Sequence, residues 1–301
     1  MGLTGVSRRG VLAAFAAAAG AWTAGAQGKK GSRLSLEGYI WQNMANRAKR
    51  PLAEMMEELF ASAPFGGFVN IELNHGFFTA ALREQTVALT RRHKLRMPSV
   101  YVGGAMHEEA LAAATTARAL EIGGLCKEFG CTAIVNNPDP KPKDGQKTDA
   151  ELAVQAAELN KLGRRLAGEG FQLRIHHHRT EMLENGRDWR HILRNTDAKY
   201  VSLCIDIEHA HRAGMDPNAL LREAGARVTE IHLRNKKGDS PLQAFEPGDI
   251  DHAAIAKTLR EVKIKPLVVV ELAYHDDTLI TRSFNENVRV SRVYAEDVFR
   301  L

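Results

Sequence analysis

The stretch Tyr-Val-Ser-Leu-Cys-Ile-Asp at residues 200–206 decides the fold, because it alternates between apolar and polar side chains. Successive side chains of a β-strand point to opposite faces of the sheet. The face that meets covering helices would hold Val201, Leu203 and Ile205. The opposite face would hold Ser202, Cys204 and Asp206. Polar residues on the inner face that end in a carboxylate are typical of a barrel strand with chemistry at its C-terminal mouth.

Seven further segments have the length and composition of strands, and helix-like stretches alternate with them. The eight predicted strands are Leu34–Ile40, Gly67–Leu73, Met97–Val102, Thr132–Asn136, Phe171–His176, Tyr200–Ile205, Val228–Leu233 and Pro266–Glu271. This order predicts an α/β protein with a parallel sheet, most simply a closed (β/α)₈ TIM barrel. An open doubly wound sheet is the alternative. The first strand is not followed by the glycine-rich loop of a dinucleotide fold.

Helix start and stop signals support the same alternation. Asp149 stands before an amphipathic run, Asp216 precedes a proline, and Asp249 or Asp251 could cap the seventh helix. Gly130 and Gly225 each follow a predicted helix, where glycine commonly ends one.

The same alternation assigns inward positions in four other strands. These inward side chains are Asn70 and Glu72 in strand two, Arg174, His176 and His178 in strand five, Glu230 and His232 in strand seven, and Val269 and Glu271 in strand eight. The predicted interior is therefore polar around much of the barrel.

Four polar residues are the last inward side chains of strands five to eight, namely His176, Asp206, His232 and Glu271. Buried carboxylates placed side by side need a compensating cation or proton. Imidazole and carboxylate ligands together suit one divalent metal ion such as Mn²⁺, Co²⁺, Fe²⁺ or Zn²⁺, with Mg²⁺ also open. The alternative is a hydrogen-bonded polar interior without a metal.

Other residues are candidates for catalysis or substrate binding. His209 follows Asp206 by three residues and could bond a substrate oxygen or move a proton, or it could support a ligand from behind. His178 and Glu271 are the other candidate catalytic residues. Glu72, Lys236 and Trp41 are candidate substrate contacts, although a lysine at the position of Lys236 could equally be a solvated loop residue.

The N-terminal segment has the composition of an export signal. Arg8 and Arg9 precede an apolar run to about Trp22, and Ala24-Gly25-Ala26 forms a small-x-small cleavage site. The paired arginines resemble a twin-arginine signal. We therefore expect residues 1–26 to be a signal peptide cleaved near Ala26 and residues 27–301 to form one TIM-barrel domain. The expected location is the periplasm or another exported site.

Composition limits the partners. The formal net charge is +5, of which Arg8 and Arg9 supply two, and basic residues do not alternate with aromatic ones, so nucleic acid is not expected. Stable membrane insertion after signal cleavage is not expected either, and oligomers are compatible with the sequence. Cys126, Cys131 and Cys204 are too few for a disulfide framework, although the first two could pair in an oxidising compartment.

Three strings resemble motifs of the sugar phosphate isomerase/epimerase family, the xylose isomerase-like barrels. They are Leu-Cys-Ile-Asp-Ile-Glu-His-Ala-His-Arg-Ala-Gly-Met-Asp-Pro at 203–217, Ile-His-Leu-Arg-Asn at 231–235 and Val-Val-Val-Glu-Leu at 268–272. The turn Pro-Gly-Asp-Ile-Asp at 247–251 is similar to the one before the seventh helix of that family. The resemblance implies that Asp206, His232 and Glu271 bind the metal and that His209 contacts substrate.

One departure from the family pattern bears on mechanism. The family usually has a glutamate where this chain has His176, and its epimerases use two carboxylates as acid and base. Only Glu271 remains at its expected place. The resemblance thus leaves His176 or His178 as the second base, or else chemistry on one face of the substrate only.

The resemblance implies an isomerase or epimerase that acts on a keto sugar or related polyol through an enediolate. The main alternative is a metal-dependent lyase or dehydratase that acts on a 3-keto sugar or its glycoside. An endonuclease of the same superfamily is disfavoured, because the end of strand three offers no extra histidine ligand. A non-catalytic sugar-binding barrel is the remaining alternative.

Overall fold

The computed structural model describes residues 32–301, so the proposed signal peptide lies outside the described residues. Eight parallel strands form one sheet in the order β2-β1-β8-β7-β6-β5-β4-β3. Their bounds are β1 Leu34–Glu37, β2 Asn70–Glu72, β3 Ser99–Tyr101, β4 Ala133–Asn136, β5 Gln172–Ile175, β6 Val201–Asp206, β7 Val228–Leu233 and β8 Leu267–Val270. All eight predicted strands are confirmed, each within a few residues of its predicted bounds.

Backbone hydrogen bonds join the two ends of the strand order and close the ring. The amide of Ile71 donates to the Arg96 carbonyl at 2.9 Å, and the amide of Tyr101 donates to the Leu73 carbonyl at 2.9 Å. The strand next to β2 on its second side is therefore β3. The fold is a TIM barrel, and the open doubly wound sheet is excluded.

Ten helices surround the strands of the described chain. Their bounds are α1 Tyr39–Ala48, α2 Leu52–Gly66, α3 Arg83–Arg92, α4 Glu109–Cys126, α5 Asp149–Gly168, α6 Leu183–Asn195, α7 Ile207–Arg212, α8 Pro217–Ala224, α9 His252–Glu261 and α10 Phe284–Phe299. Helices α1 and α7 both begin just after a barrel strand, β1 and β6 respectively.

The prediction that the first strand extends to Ile40 is wrong. The chain turns at Gly38, where any larger residue would collide with the Leu73 side chain 2.6 Å away, and α1 begins at Tyr39. The apolar residues that suggested a longer strand instead form the buried face of a helix. Trp41 lies on that face, fully buried against Phe60 at 4.6 Å between ring centroids and against Phe77 at 6.1 Å.

The predicted helix caps are largely confirmed. Asp216 and Asp251 accept hydrogen bonds from backbone amides at the starts of α8 and α9. The cap of α5 is Thr148 rather than Asp149, because Thr148 and Glu151 form a reciprocal capping box. The predicted capping residue therefore lies one position after the observed one.

The predicted alternation is confirmed by contacts across the barrel interior. Arg174 from β5 pairs with Glu230 from β7, and the Ser99 hydroxyl from β3 donates to Glu72 from β2. Strands β5 and β7 are separated by β6, so the side chains of Arg174 and Glu230 must point into the barrel. The Ser99 hydroxyl also lies 3.3 Å from Glu230, which places it in the same interior. The three cysteines are buried and free, so the suggested pairing of Cys126 with Cys131 is not present.

A buried ion pair anchors the long loop that follows β4. The Lys147 ammonium donates to Asp188 at 2.9 Å and to the Pro138 carbonyl at 2.9 Å, while the Gln155 amide donates to the other oxygen of Asp188 at 2.6 Å. We call Lys147, Gln155 and Asp188 the loop anchor. In residues 32–301, none of the helices combines the length and the apolar character that crossing a membrane requires.

Candidate metal centre

Four side chains converge at the C-terminal mouth of the barrel, at the ends of β5 to β8. They are His176, Asp206, His232 and Glu271, and we call them the mouth quartet. Each offers one nitrogen or oxygen atom, and these atoms all lie within 4.8 Å of one another. All four residues are buried, so the structure brings together the residues that strand alternation selected.

Two atoms of the quartet face each other without a hydrogen-bond partner. His176 Nε2 lies 3.6 Å from Asp206 Oδ2, and both atoms are buried and unbonded. The other oxygen of Asp206 accepts the backbone amide of His209 at 2.7 Å and so begins helix α7. A buried polar atom without a partner requires an explanation, and a bound ion is one that suits an imidazole nitrogen facing a carboxylate oxygen.

The electrostatics of these two residues suit a cation. Burial, and then the neighbouring His232 and His178, hold the pKa of His176 well below its ordinary value, so His176 is a neutral imidazole that can act as a ligand. Burial is the main cause that raises the pKa of Asp206 to about 7, and Glu271 adds to the effect. A nearby cation would favour the charged form of Asp206.

His232 is surrounded by carboxylates. Its Nδ1 lies 2.8 Å from Glu271 Oε2, and its Nε2 lies 3.1 Å from Glu72 and 3.3 Å from Glu230. Burial alone would lower the pKa of His232, but the neighbouring Cys204 and Glu72 raise it well above its ordinary value. The imidazole ring thus links the quartet to the carboxylates deeper in the barrel.

Arg234 is a buried residue of the site that the sequence analysis missed. Its guanidinium donates to Glu271 Oε1 at 2.7 Å, to Glu208 Oε2 at 2.9 and 3.0 Å, and to His209 Nε2 at 2.8 Å. Burial would raise the pKa of Glu271, but Arg234 and His232 hold it well below its usual range. Glu271 is therefore an ionised carboxylate with one oxygen fixed by Arg234.

The donor set fits a divalent cation. Two imidazoles and two carboxylates suit Mn²⁺, Co²⁺, Fe²⁺ or Zn²⁺, and His232, whose pKa is raised, would release its proton on binding the ion. The open atoms of His176 and Asp206 have no protein partner that a cation would displace. The residues that would hold the ion are the four members of the mouth quartet.

Comparison with known proteins settles the family. A family model described as the xylose isomerase-like TIM barrel matches residues 61–292. The chain belongs to this family.

Solved structures of similar fold agree with this xylose isomerase-like barrel. A sugar phosphate isomerase/epimerase from Parabacteroides distasonis has a TM-score of 0.68 at 16% identity, and the match covers 91% of this chain and 97% of that one. A 3-keto-D-glucoside 4-epimerase from E. coli has a TM-score of 0.65 at 17% identity, covering 88% and 99% of the two chains. Identities this low show a shared fold.

Curated relatives match over a shorter length. The inosose dehydratase of Mesomycoplasma hyopneumoniae is 33% identical over 88 residues, which are 29% of each chain. The inosose dehydratase of Bacillus velezensis is 27% identical over 143 residues, which are 41% of this chain and 48% of the relative. The chain thus spans less than half the length of these relatives.

The xylose isomerase-like barrel places two predicted catalytic histidines beside the quartet. The His178 ring lies 5.1 Å from the His176 ring and 4.9 Å from the His209 ring, measured between centroids. A guanidinium only donates, so the bond from Arg234 makes His209 Nε2 an acceptor. Burial, followed by Arg234, also holds the pKa of His209 well below its ordinary value, and His209 is neutral.

The three predicted substrate contacts lie in different surroundings. Glu72 is fully buried one layer below the mouth, where Ser99 and His232 contact it, and burial foremost raises its pKa to about 7. Lys236 donates to the Gly238 carbonyl at 2.8 Å within a short hairpin. Trp41 is packed among aromatic rings under α1. The structure therefore brings only Glu72 into contact with the quartet.

Glu37 is a second residue that the sequence analysis missed. It ends β1, pairs in register with Glu72, and accepts the backbone amide of Tyr39 at 3.0 Å. The side chain is 3% exposed, and burial, then Glu271 and Glu72, raise its pKa well above its ordinary value. Extending the alternation to Leu34-Ser35-Leu36-Glu37 would have assigned this carboxyl to the interior.

Proposed function

We propose that this chain is a divalent-metal-dependent isomerase or epimerase that acts on a keto sugar or related polyol through an enediolate. The observation that carries the proposal is the pair of open ligand atoms, His176 Nε2 and Asp206 Oδ2, within a four-residue set at the barrel mouth. TIM-barrel enzymes perform their chemistry at this end of the barrel. Membership of the xylose isomerase-like family supports the same class of substrate.

The bound cation would polarise the carbonyl and hydroxyl oxygens of the substrate and so acidify the C–H bond between them. Glu271 is the group that takes this proton, because its carboxylate is ionised and Arg234 fixes one of its oxygens. His209 is neutral and held by Arg234, so it is placed to orient a substrate hydroxyl. Burial of the quartet keeps water away from these groups.

A second acid is needed to return a proton to the other face of the substrate, or to a leaving hydroxyl. Glu37 is a buried carboxyl whose raised pKa keeps it protonated, and it neighbours Glu271 across the β1–β8 pair. His178 lies on the opposite side, against His176 and His209. Either residue could supply the second proton that a single carboxylate cannot.

A dehydratase is the second candidate, and a specific observation favours it. The quartet has a histidine where the family usually has a glutamate, and the curated relatives that match by sequence are named inosose dehydratases. Abstraction of the proton by Glu271 would then be followed by loss of a hydroxyl or glycosidic group, which leaves with the proton it receives. The substrate in this case would be a keto sugar, a keto sugar glycoside or a cyclic keto polyol.

Solvent deuterium exchange separates the two candidates. The protein would be supplied with Mn²⁺ and incubated in D₂O with a panel of keto sugars and an inosose, beside the same protein after chelation. An isomerase or epimerase incorporates deuterium at carbon and yields a product of the same composition, whereas a dehydratase yields a product lighter by one water. If every substrate showed neither deuterium incorporation nor loss of water, both candidates would be contradicted.

We also propose that the chain is exported and cleaved near Ala26. The paired arginines, the apolar run and the small-x-small site support this. Expression in a host with a twin-arginine pathway should give a protein that begins at Gln27 in the exported fraction. Substitution of Arg8 and Arg9 by lysine should retain the uncleaved chain in the cytoplasm, and export unaffected by this change would contradict the twin-arginine route.

A further inference from the structure

The loops after β2, β3 and β4 gather polar side chains around Gly103, on the part of the mouth away from β6 to β8. A side-chain carbon at Gly103 would lie 3.4 Å from Asp139 Oδ1, 3.5 Å from the Tyr101 ring and 3.8 Å from the His75 ring. His75, Tyr101 and Asp139 are each half-buried. The absence of a side chain at Gly103 therefore leaves a small space that three polar residues border.

Arg118 reaches the same loop from helix α4. A side-chain carbon at Gly104 would lie 2.9 Å from Arg118 Nη2 and would collide with Thr115. Glycine at this position therefore lets the guanidinium approach the backbone of the loop. The amide of Asp139 donates to the Gly104 carbonyl at 3.4 Å, which holds the loops after β3 and β4 together.

These side chains have polar atoms without protein partners. Arg118 Nε and His75 Nδ1 are buried and unbonded. Among residues 32–301, neither the guanidinium of Arg118 nor the carboxylate of Asp139 makes a hydrogen bond or an ion pair with another protein group. Arg234 is the contrasting case, because its guanidinium is bonded on all sides to Glu208, His209 and Glu271.

Tyr101 connects this region to the mouth quartet. Its ring lies 5.3 Å from the His176 ring, edge to face, and also borders the space at Gly103. A substrate whose reacting carbon lies at the quartet would thus extend past Tyr101 towards Asp139 and Arg118.

We propose that His75, Tyr101, Arg118 and Asp139 form a polyol subsite, which binds the end of the substrate remote from the quartet and selects an uncharged polyol over a sugar phosphate. The proposal deepens the proposed function, since it takes the quartet as the reacting end.

The chemistry of the four groups explains the selection. A guanidinium donates to hydroxyl oxygens and a carboxylate accepts from hydroxyl groups, so Arg118 and Asp139 together match a pair of neighbouring hydroxyls. Their charges cancel. Burial, and then Arg118, lower the pKa of His75, so it is neutral at pH 7 and adds no positive charge. A phosphate dianion would be repelled by the carboxylate of Asp139, because the subsite has no net positive charge to offset this repulsion.

Calorimetric binding tests the subsite without requiring turnover. The Mn²⁺-supplied protein would be titrated with an inosose, D-fructose and D-fructose 6-phosphate. The variants are Asp139→Asn and Arg118→Gln, and the control is Asp276→Asn, which makes the same change at an exposed residue of the loop after β8. Thermal unfolding of each variant establishes that it is folded, and Asp139→Asn is nearly isosteric if Arg118→Gln proves unstable.

We expect the wild type to bind an uncharged polyol at least tenfold more tightly than the phosphate. Each subsite variant should weaken polyol binding by about tenfold, as loss of a hydrogen bond to a charged group does. Asp139→Asn should also reduce the ratio of polyol affinity to phosphate affinity. Asp276→Asn should change neither affinity. Binding that is unchanged in both subsite variants, a wild type that prefers the phosphate, or a wild type that binds none of the three probes would overturn the proposal. Subsite-dependent binding without any turnover would support the subsite and contradict the proposed function.

Discussion

The mouth quartet and the loop anchor are both buried polar clusters at the C-terminal end of the barrel, and they differ in how their atoms are satisfied. In the loop anchor, Lys147 and Asp188 are 2.9 Å apart and both carboxylate oxygens have donors. In the quartet, His176 Nε2 and Asp206 Oδ2 face each other unbonded. The charged atoms of the loop anchor are thus paired, and only the neutral Gln155 amide oxygen lacks a partner there. A buried carboxylate oxygen that faces an imidazole without a bond costs stability unless an ion or a proton binds there. The difference indicates structure at one place and function at the other.

The largest expected effect is on turnover, at the quartet. Glu271→Gln removes the ionised carboxylate that Arg234 holds, so kcat should fall about a thousandfold, as loss of a general base does. Steady-state kinetics on the substrate found by deuterium exchange would measure this. Glu223→Gln, which alters a carboxylate paired with Arg190 on the surface, is the matched control and should leave kcat unchanged. A Glu271→Gln variant with near wild-type kcat would remove Glu271 from catalysis.

The next effect is on stability, at the loop anchor. Lys147→Met leaves Asp188 buried without its cation, so the free energy of unfolding should fall by at least about 3 kcal/mol. Chemical denaturation would measure the loss. The double variant Lys147→Met with Asp188→Leu should recover much of it, because no charge is then left unpaired. If Lys147→Met abolished metal binding in a protein that was still folded, the separation between the two clusters would be wrong.

His252 is a buried histidine outside both clusters, and we expect it to make the stability of the fold depend on pH. Burial is the main cause that lowers the pKa of His252 to about 4, and its Nε2 is unbonded like that of His176. The unfolded chain binds a proton near pH 6.5 and the folded chain does not, so stability present above pH 6.5 is lost as pH falls towards 4. The loss should reach about 3 kcal/mol.

Denaturation of wild type and His252→Leu at several pH values would measure this slope. The variant should be less sensitive to pH between 6.5 and 4.5. Equal slopes would show that His252 does not carry the acid sensitivity. Among residues 32–301, His252 is not part of a group that could hold a metal, so its substitution should leave metal content unchanged.

The smallest effect is at the cap next to the loop anchor. Thr148→Ala removes the hydroxyl that accepts the Glu151 amide at 3.2 Å, and should lower the free energy of unfolding by about 1 kcal/mol. Thr148→Ser keeps the hydroxyl and should cost much less. A loss as large as that of Lys147→Met would mean that the cap and the ion pair act as one unit.

The sequence predicted those parts of the protein that follow from the alternation of side chains along a β-strand. The two-residue repeat of a β-strand correctly predicted that the quartet and the interior pairs face inward, because each strand lies between helices and a polar barrel interior. The prediction does not include Arg234, although this residue continues the inward series of Glu230 and His232, because the predicted strand ends at Leu233. The first strand was predicted too long, because the apolar residues after Gly38 also fit a buried helix.

Other features could not be predicted from the sequence, because they depend on contacts between residues that lie far apart in the chain. Nothing in the local pattern links Lys147 to Asp188, or Arg118 on a helix to Asp139 on a later loop. Trp41 is predicted as a substrate contact, but its packing against Phe60 and Phe77 depends on how α1 turns over the barrel. Tertiary packing decides such positions.

The most direct test is the metal content of the purified protein, measured by elemental mass spectrometry for wild type beside Asp206→Ala/Glu271→Ala. Lys147→Met is the control, provided that it is folded. The quartet predicts about one divalent metal ion per chain in wild type and in the control, and loss of the ion in the double variant. No metal in the wild type even after supplementation with Mn²⁺, Co²⁺, Fe²⁺ or Zn²⁺, or equal metal in the double variant, would contradict the metal centre.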